Sequence, residues 1–137
     1  MSEPFRKTFT AQAAHIDVMG HVNNAVWVQW VQDMATAHWD GVAAHDHARD
    51  VVWLVVRHEI DYRGNIAEGE SVSGTTWIPG APRGATSLRR VDFADATGKV
   101  IVSAATTWAM LDRETQRLVR VRPDVIAPFR TDQGKNA

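Results

Sequence analysis

Several features that would point to particular kinds of protein are missing from this sequence of 137 residues. It contains no cysteine, which excludes a disulfide framework, a thiol nucleophile and a thiolate-bound zinc site. The 15 basic and 16 acidic residues nearly balance, which argues against a general nucleic-acid binder or a membrane-surface protein. The longest strongly apolar run, VVWLVV from Val51, is far below the ~18 residues of a membrane span, and the N-terminus lacks a signal-peptide apolar region. We therefore expect a soluble, cytoplasmic protein whose partners are small molecules or proteins, not nucleic acid or membranes.

The chain length predicts a single domain, which we assign to residues 1–130. A domain of ~150 residues buries roughly 70% of its unfolded surface, so this length is sufficient for a real core. Internal repeats and low-complexity tracts are absent. The remaining residues, 131–137, have the polar composition of a disordered tail.

One long helix is predicted from Asn24 to about Trp39. Apolar residues recur there at helical spacing while polar residues fall on the opposite side, which is typical of an amphipathic helix. Asn23 or Asn24 is a suitable N-cap. Gly41 is predicted to end the helix.

A β-rich region follows a loop predicted for residues 41–50. Four segments are rich in β-branched and aromatic residues and are bounded by turn residues: VVWLVVRHEIDY, ESVSGTTWI, ATSLRRVDFA and KVIVSAATTWAML. Another strand, RKTFTA, precedes the helix, and ADATGK predicts a hairpin in which Gly98 adopts a left-handed conformation. One helix and five antiparallel strands predict an α+β fold in which the sheet wraps around the helix.

Polar residues crowd the start of the predicted helix, in HIDVMGHVNNAVWVQW from His15 to Trp30. Taken singly, Asp17 is readily explained as a turn cap, His21 as a loop histidine, and Asn23 and Asn24 as caps of free N–H groups. Taken together they suggest more, because a helix N-terminus presents unpaired N–H donors suited to a developing oxyanion. A carboxylate beside such donors favours acyl transfer.

The same run resembles a family signature. The sequence D-V-M-G-H-V-N-N-A-V-W is similar to the D-x-x-G-H-V-N-N-A-x-Y motif of hotdog-fold thioesterases, a group that includes 4-hydroxybenzoyl-CoA thioesterase and plant acyl-ACP thioesterases. The order of helix and strands also matches, and I-D-Y-R-G-N-I-A-E-G-E-S-V resembles the family's passage between the second and third strands. The resemblance implies a hotdog fold and hydrolysis of an acyl-CoA or acyl-carrier-protein thioester to free acid and thiol. It implies no cofactor beyond the coenzyme A of the substrate. We also expect a homodimer or tetramer, because a sheet wrapped on one helix leaves an edge strand and part of the acyl pocket open for a partner subunit to close.

Residue roles follow from the resemblance position by position. Asp17 takes the place of the catalytic carboxylate, as nucleophile or as base for water. The backbone N–H of Asn24 takes the place of the group that polarises the thioester carbonyl. His21 matches the histidine of the acyl-ACP enzymes, and Asn23 or Asn24 would orient the loop or the attacking water. Met19 departs from the plant pattern, which has asparagine there.

Substrate-binding residues are predicted around this motif. They are Gly20, Asn23, Trp27, Trp53 and Asn65. The tryptophans are candidates for an acyl or aryl pocket, although tryptophan is more often a core residue. Asn65 stands where some family members carry a polar or acidic residue after the second strand.

Coenzyme A binding is predicted for Arg83, Gly84 and Arg89, because the fork of arginine suits phosphate and family members bind the nucleotide near this loop. Ordinary strand-edge charge is the alternative. The arginines of RLVRVR, which include Arg120 and Arg122, form a weaker candidate.

Alternative functions are less well supported. The cluster His45, Asp46, His47 and Asp50 fits none of the zinc spacings, so a solvated loop is favoured over a metal site. A hotdog dehydratase would be expected to carry an H-F-P-G-like passage, which the sequence lacks. A non-catalytic acyl-thioester-binding module remains open, although it would have no need of Asp17.

Overall fold

The structure is a computed structural model that describes residues 3–131. Its elements, in chain order, are β1 (Phe5–Thr10), α1 (Asn24–Val42), α2 (His45–Asp50), β2 (Val51–Tyr62), β3 (Ser71–Trp77), β4 (Thr86–Ala94), β5 (Val100–Asp112) and α3 (Pro123–Ile126). Short 3₁₀ turns cover Ala13–His15 and Ala127–Phe129. The strand boundaries agree with the sequence prediction to within about a residue.

The five strands form one antiparallel sheet in the order β1-β3-β4-β5-β2. The sheet wraps around α1, which confirms the predicted α+β architecture. β1 and β2 are the two edge strands, and β2 pairs with β5 along its length with a bulge between Val55 and Arg57. No helix within residues 3–131 is long and apolar enough to cross a membrane.

The core lies between α1 and the concave face of the sheet. The predicted apolar face of the helix is buried, and its members are Trp27, Trp30, Val31, Met34 and His38. Met34 packs so closely on β3 that a Cβ at Gly74 would lie 2.8 Å from its sulfur. Complete burial of a side chain of this size contributes roughly 1.5–3 kcal/mol. The helix is therefore held by packing along its whole buried stripe.

The predicted helix end and the predicted loop after it were wrong. α1 continues through Gly41 to Val42, and the N–H of Ala43 caps the helix by donating to the Trp39 carbonyl. A glycine inside a helix costs only ~0.5–1 kcal/mol relative to alanine, so it need not end one. Residues 45–50 of the predicted loop form α2.

The C-terminal part of the described chain closes one end of the sheet. Val125 and Ile126 of α3 and the following Phe129 are buried. Thr131 is also buried, and its N–H donates to the carbonyl of Ile78. The rest of the predicted tail, residues 132–137, lies outside the described residues.

Candidate active site

The polar motif forms a tight turn that leads directly into α1. Ile16 and Val22 are bridged on either side of the turn. The N–H of Asp17 donates to the carbonyl of His21 at 2.8 Å, and the N–H of Gly20 donates back to the carbonyl of Asp17 at 3.0 Å. Gly20 has φ +81°, a left-handed conformation that favours glycine.

The carboxylate of Asp17 caps this turn. Its Oδ1 accepts hydrogen bonds from the backbone N–H groups of Met19 at 2.9 Å and His21 at 3.3 Å. The capping interpretation is therefore correct as geometry. Its Oδ2 accepts no hydrogen bond from any group in residues 3–131. One carboxylate oxygen holds the turn and the other is free for chemistry.

The helix start lies a few residues further on. Asn23 is the N-cap, since its side-chain oxygen accepts from the N–H of Ala25 at 2.8 Å. Its carbonyl accepts from Val26 and Trp27. The N–H of Asn24 donates to no acceptor within residues 3–131. A free donor therefore stands at the positive end of a helix of 19 residues, where it favours negative charge.

The side chains at the tip of the turn face solvent. Val18 is 101% exposed and Met19 is 77% exposed, which is unusual for two adjacent apolar residues. His21 is exposed, and its imidazole makes no hydrogen bond among residues 3–131. These groups are available to a substrate or to another protein surface.

The side chain of Asn65 holds the turn in place by hydrogen bonds. Its amide nitrogen donates to the Val22 carbonyl at 3.0 Å, and its amide oxygen accepts from the Trp27 indole at 3.3 Å and from the N–H of Ile66. Trp27 is completely buried in the main core. These contacts hold the loop against α1, so a direct role of Asn65 and Trp27 in substrate binding stays a prediction.

Arg83 and Gly84 occupy a tight, exposed turn before β4. Arg83 and Thr86 exchange two backbone hydrogen bonds, and Gly84 has φ +59°. The Gly84 carbonyl accepts from the N–H of Val121, which brings the segment carrying Arg120 and Arg122 alongside. Arg122 is paired with Asp124 at 3.0 Å. Two basic segments separated in sequence thus share one surface.

Arg89 and Trp53 lie elsewhere, at the other end of α1. Arg89 is 5% exposed and lines a cavity of about 290 Å³, which Trp53 also lines. Sequence reasoning placed Arg89 with the surface arginines and missed this cavity. The signal was present, because Ser87, Arg89, Val91 and Phe93 alternate along β4 and all four are buried.

A metal site is not formed by the histidine cluster. Within residues 3–131 no group of three or more His, Asp or Glu side chains is arranged to hold a metal ion. His47 instead lies 3.6 Å from Asp124, and Asp50 pairs with Arg49.

A carboxylate turn in front of the central helix of a five-stranded wrapped sheet is the arrangement expected of a hotdog-fold thioesterase. The family model for the acyl-ACP thioesterase N-terminal domain matches residues 2–129. The chain therefore belongs to the acyl-ACP thioesterase family, which confirms the resemblance seen in the sequence.

Known relatives agree with this assignment. Long-chain acyl-CoA thioesterase FadM of Escherichia coli strain K12 is 25% identical over 116 residues, which cover 81% of this chain and 86% of FadM. The chloroplastic acyl-[acyl-carrier-protein] hydrolase FATB3 of Cuphea viscosissima is 25% identical over 61% of this chain. The match covers 21% of FATB3, so this chain spans about a fifth of that plant relative.

Solved structures share the fold. An acyl-ACP thioesterase from Bacteroides thetaiotaomicron superposes with a TM-score of 0.82 at 21% identity, covering 95% of this chain and 54% of the other. The probable thioesterase YbaW of Escherichia coli gives a TM-score of 0.78 at 19% identity, covering 92% and 98%. These similarities establish the hotdog fold.

Proposed function

We propose that this protein hydrolyses an acyl thioester, carried by coenzyme A or by an acyl carrier protein, to the free acid and the thiol. Family membership supports the reaction class. The observation that carries the proposal is the unbonded N–H of Asn24, a short way along the chain from a carboxylate with one free oxygen. Each feature also occurs in structural elements, since a helix leaves its first N–H groups unpaired and Asp95 also has one unbonded carboxylate oxygen, so the support comes from finding the two together.

The two groups would divide the chemistry between them. The thioester carbonyl oxygen accepts from the Asn24 N–H, which stabilises the negative charge that develops on that oxygen. Asp17 either attacks the carbonyl carbon or removes a proton from the water that attacks it. In either route the C–S bond breaks, and the thiolate leaves and takes up a proton. If Asp17 attacks, an acyl-aspartate anhydride forms and water then hydrolyses it to the acid and free Asp17; if Asp17 acts as base, water adds to the carbonyl directly. His21 would orient water or transfer that proton.

The phosphates of coenzyme A are assigned to Arg83 and Gly84. Arg83 is exposed and has no ion pair within residues 3–131. Arg120 on the neighbouring segment adds positive charge to the same surface. Arg89 is excluded from this role by its burial, because a phosphate that stays in solvent cannot reach it.

A homodimer joined along β2, alone or as half of a tetramer, completes the proposal. β2 is an edge strand of 12 residues whose first half is apolar, with exposed Leu54 and Val56, and whose second half carries charged residues, whereas the other edge, β1, has 6 residues and carries Arg6 and Lys7. Long apolar edges are usually paired and charged short edges are not. A twofold pairing of β2 is antiparallel and places the beginning of one strand beside the end of its copy.

This pairing would join two incomplete halves of a site. The Asp17 turn lies toward the end of β2, because Asn65 follows that strand closely and holds the turn. The cavity lies at the beginning of β2. The turn of one protomer, with exposed Val18 and Met19, would then face the cavity of its partner. The lack of cysteine is compatible with the cytoplasmic location expected for such an enzyme.

The reaction is tested by incubating the protein with a panel of acyl-CoA and acyl-carrier-protein thioesters and measuring release of free thiol. Turnover of at least one class that is lost in Asp17→Asn supports the proposal. Binding without thiol release from any substrate would leave the acyl-binding module as the better description.

The dimer is tested by sedimentation velocity on Leu54→Lys and Leu88→Lys. The two leucines are similarly exposed, at 45% and 42%, but Leu88 lies on the interior strand β4. We expect Leu54→Lys to shift the protein toward monomer and Leu88→Lys to leave it assembled. A fully active monomeric parent protein would contradict the shared site.

A further inference from the structure

The cavity at the far end of α1 is separate from the Asp17 turn within one protomer. Asn24 and His38 are fourteen residues apart on the helix, which is about 20 Å at the α-helical rise. The apolar walls are Trp39, Trp53, Ile78, Trp108, Ile126 and Phe129. Its volume of about 290 Å³ is near the lower end of the range for small-ligand pockets. A short apolar or aryl body would fill it.

A buried cation lines this apolar cavity. The guanidinium of Arg89 donates through Nη1 to His38 Nδ1 at 2.9 Å and to Thr76 Oγ1 at 3.1 Å, and it lies 5.7 Å from the ring centroid of Phe129. No carboxylate in residues 3–131 is within ion-pair distance of it. A charge buried without a counterion is costly to the folded state, so its retention calls for a function.

The protonation states of the pair are clear from their surroundings. Burial lowers the pKa of Arg89 to about 9, so the guanidinium is still charged at neutral pH. Burial and the nearby Arg89 charge lower the pKa of His38 to about 3, so the imidazole is neutral and accepts through Nδ1. Because the His38 imidazole is neutral, it orients the guanidinium of Arg89 without repelling its positive charge.

Three further donors without partners belong to residues that line the same cavity. The indole N–H groups of Trp53 and Trp108 and the hydroxyl of Ser87 are buried and make no hydrogen bond. At the exposed rim, Asp40 supplies the one carboxylate among the lining residues, and Arg113 donates to backbone carbonyls. These three donor atoms have almost no exposed surface, so what the inner wall offers a ligand is the positive charge of Arg89, with no anionic acceptor.

We infer that this cavity binds a carboxylate carried on a short apolar or aryl body, with the carboxylate on Arg89. A carboxylate only accepts hydrogen bonds and pairs with the guanidinium fork, which matches what the wall offers. Two sources share this chemistry: the distal carboxylate of a dicarboxylic acyl thioester, and a free carboxylic acid. The first source rests on the proposed function, because the acyl chain would enter from the Asp17 turn of the partner protomer.

Paired substrates of equal chain length test the acyl source. For adipoyl-CoA against hexanoyl-CoA, we expect kcat/KM to favour the dicarboxylic thioester by about tenfold or more. Arg89→Met should reduce the ratio of kcat/KM for adipoyl-CoA over hexanoyl-CoA to about one, Arg89→Lys should restore part of the preference, and exposed Arg117→Met should match the parent. Equal use of the two thioesters, together with no acid binding, would overturn the inference.

Direct binding separates this inference from the proposed function. Adipate and hexanoate are titrated into the parent protein by calorimetry and by the fluorescence of the cavity tryptophans. If either acid binds to the parent and this binding is lost in Arg89→Met, the carboxylate site is supported even when no thioester is hydrolysed. If the acid binds but adipoyl-CoA is not preferred over hexanoyl-CoA, the ligand of the site is a free carboxylic acid. If Arg89→Met does not fold, the measurements on the parent protein are sufficient, because a parent that neither binds the acids nor prefers adipoyl-CoA refutes the site.

Discussion

Two turns of this protein have nearly the same structure, Asp17–His21 (DVMGH) and Asp95–Lys99 (DATGK). In each, the aspartate Oδ1 accepts from the N–H two residues on at 2.9 Å and from the N–H four residues on, at 3.3 Å and 3.2 Å respectively. Each aspartate N–H donates to the carbonyl of the last residue of its turn. Each glycine is left-handed, with φ +81° at Gly20 and +89° at Gly98.

The differences lie around the turns. The hydroxyl of Thr97 also donates to Asp95 at 2.6 Å, and that turn only joins β4 to β5. The Asp17 turn has an apolar exposed tip and leads into a helix whose first N–H is free. The D-x-x-G half of the family signature is therefore a turn motif, and the H-V-N-N half places a helix N-terminus beside it. In the proposed mechanism, catalysis requires both halves.

The largest expected difference between the two turns is the effect on kcat of replacing each aspartate by alanine. Asp17→Ala is expected to lower kcat by about 10²–10⁴-fold, because a group that acts in the transition state is lost. It should also cost ~0.5–2 kcal/mol of stability through the lost cap. Asp95→Ala should lower the melting temperature while kcat is unchanged. Thiol-release kinetics and thermal melts on both variants check this, and equal kcat values would remove the distinction between the turns.

The free N–H of Asn24 can be deleted without removing the helix. Proline is favoured at the first helical position, and Asn23 already has the extended conformation that a residue before proline prefers, at φ −63° and ψ 142°. We expect Asn24→Pro to lower kcat by about 10²–10³-fold with little change in melting temperature. Asn24→Ala, which keeps the N–H, is the control. A fully active proline variant would refute the oxyanion role.

A smaller effect is expected for Arg83, which is proposed to bind the phosphates of the coenzyme A leaving group. Arg83→Ala should raise KM for acyl-CoA by up to about tenfold with little change in kcat, because a phosphate contact made equally in ground and transition states is lost. Added salt should raise KM of the parent in the same direction. Arg117→Ala is the matched surface control. An unchanged KM would direct attention to Arg120 or to a carrier-protein substrate.

The smallest effect concerns acid stability. The hydrogen bond from the Thr97 side chain, together with backbone N–H donors, lowers the folded-state pKa of Asp95 below its ordinary value of 3.8. A depressed pKa stabilises the fold above that value, and the contribution is lost as pH falls through the folded pKa. Asp95→Asn should therefore show less loss of melting temperature between neutral and acidic pH than the parent. An identical pH dependence would show that the turn contributes no charge-dependent stability.

The fold was largely readable from the sequence because its signals are local. Alternation and turn residues gave the strands, and the helical stripe from Trp27 to His38 gave the central helix. Gly41 misled because a helix end depends on its cap, here at Ala43, and not on glycine content alone. α3 was missed because a short helix is defined mainly by the tertiary burial of Val125 and Ile126.

The candidate site was predicted unevenly. The Asp17 motif is contiguous, so one stretch of sequence contains both the carboxylate and the helix start. The cavity instead combines α1, β2, β4 and the C-terminal segment, which no local pattern connects. The inward position of Arg89 was readable from its alternation with Val91 and Phe93, but its lack of a carboxylate partner depends on three-dimensional packing.

The most direct test of the catalytic role of Asp17 is kcat of Asp17→Asn measured beside Asp95→Asn. Asparagine keeps the Oδ1 acceptor that both turns require and removes only the charge and the reactive carboxylate, so both variants should fold like the parent. We predict that Asp17→Asn loses about 10²–10⁴-fold in kcat while Asp95→Asn retains full activity. Full turnover by a folded Asp17→Asn protein would contradict this and reduce the Asp17 turn to the structural role of its counterpart.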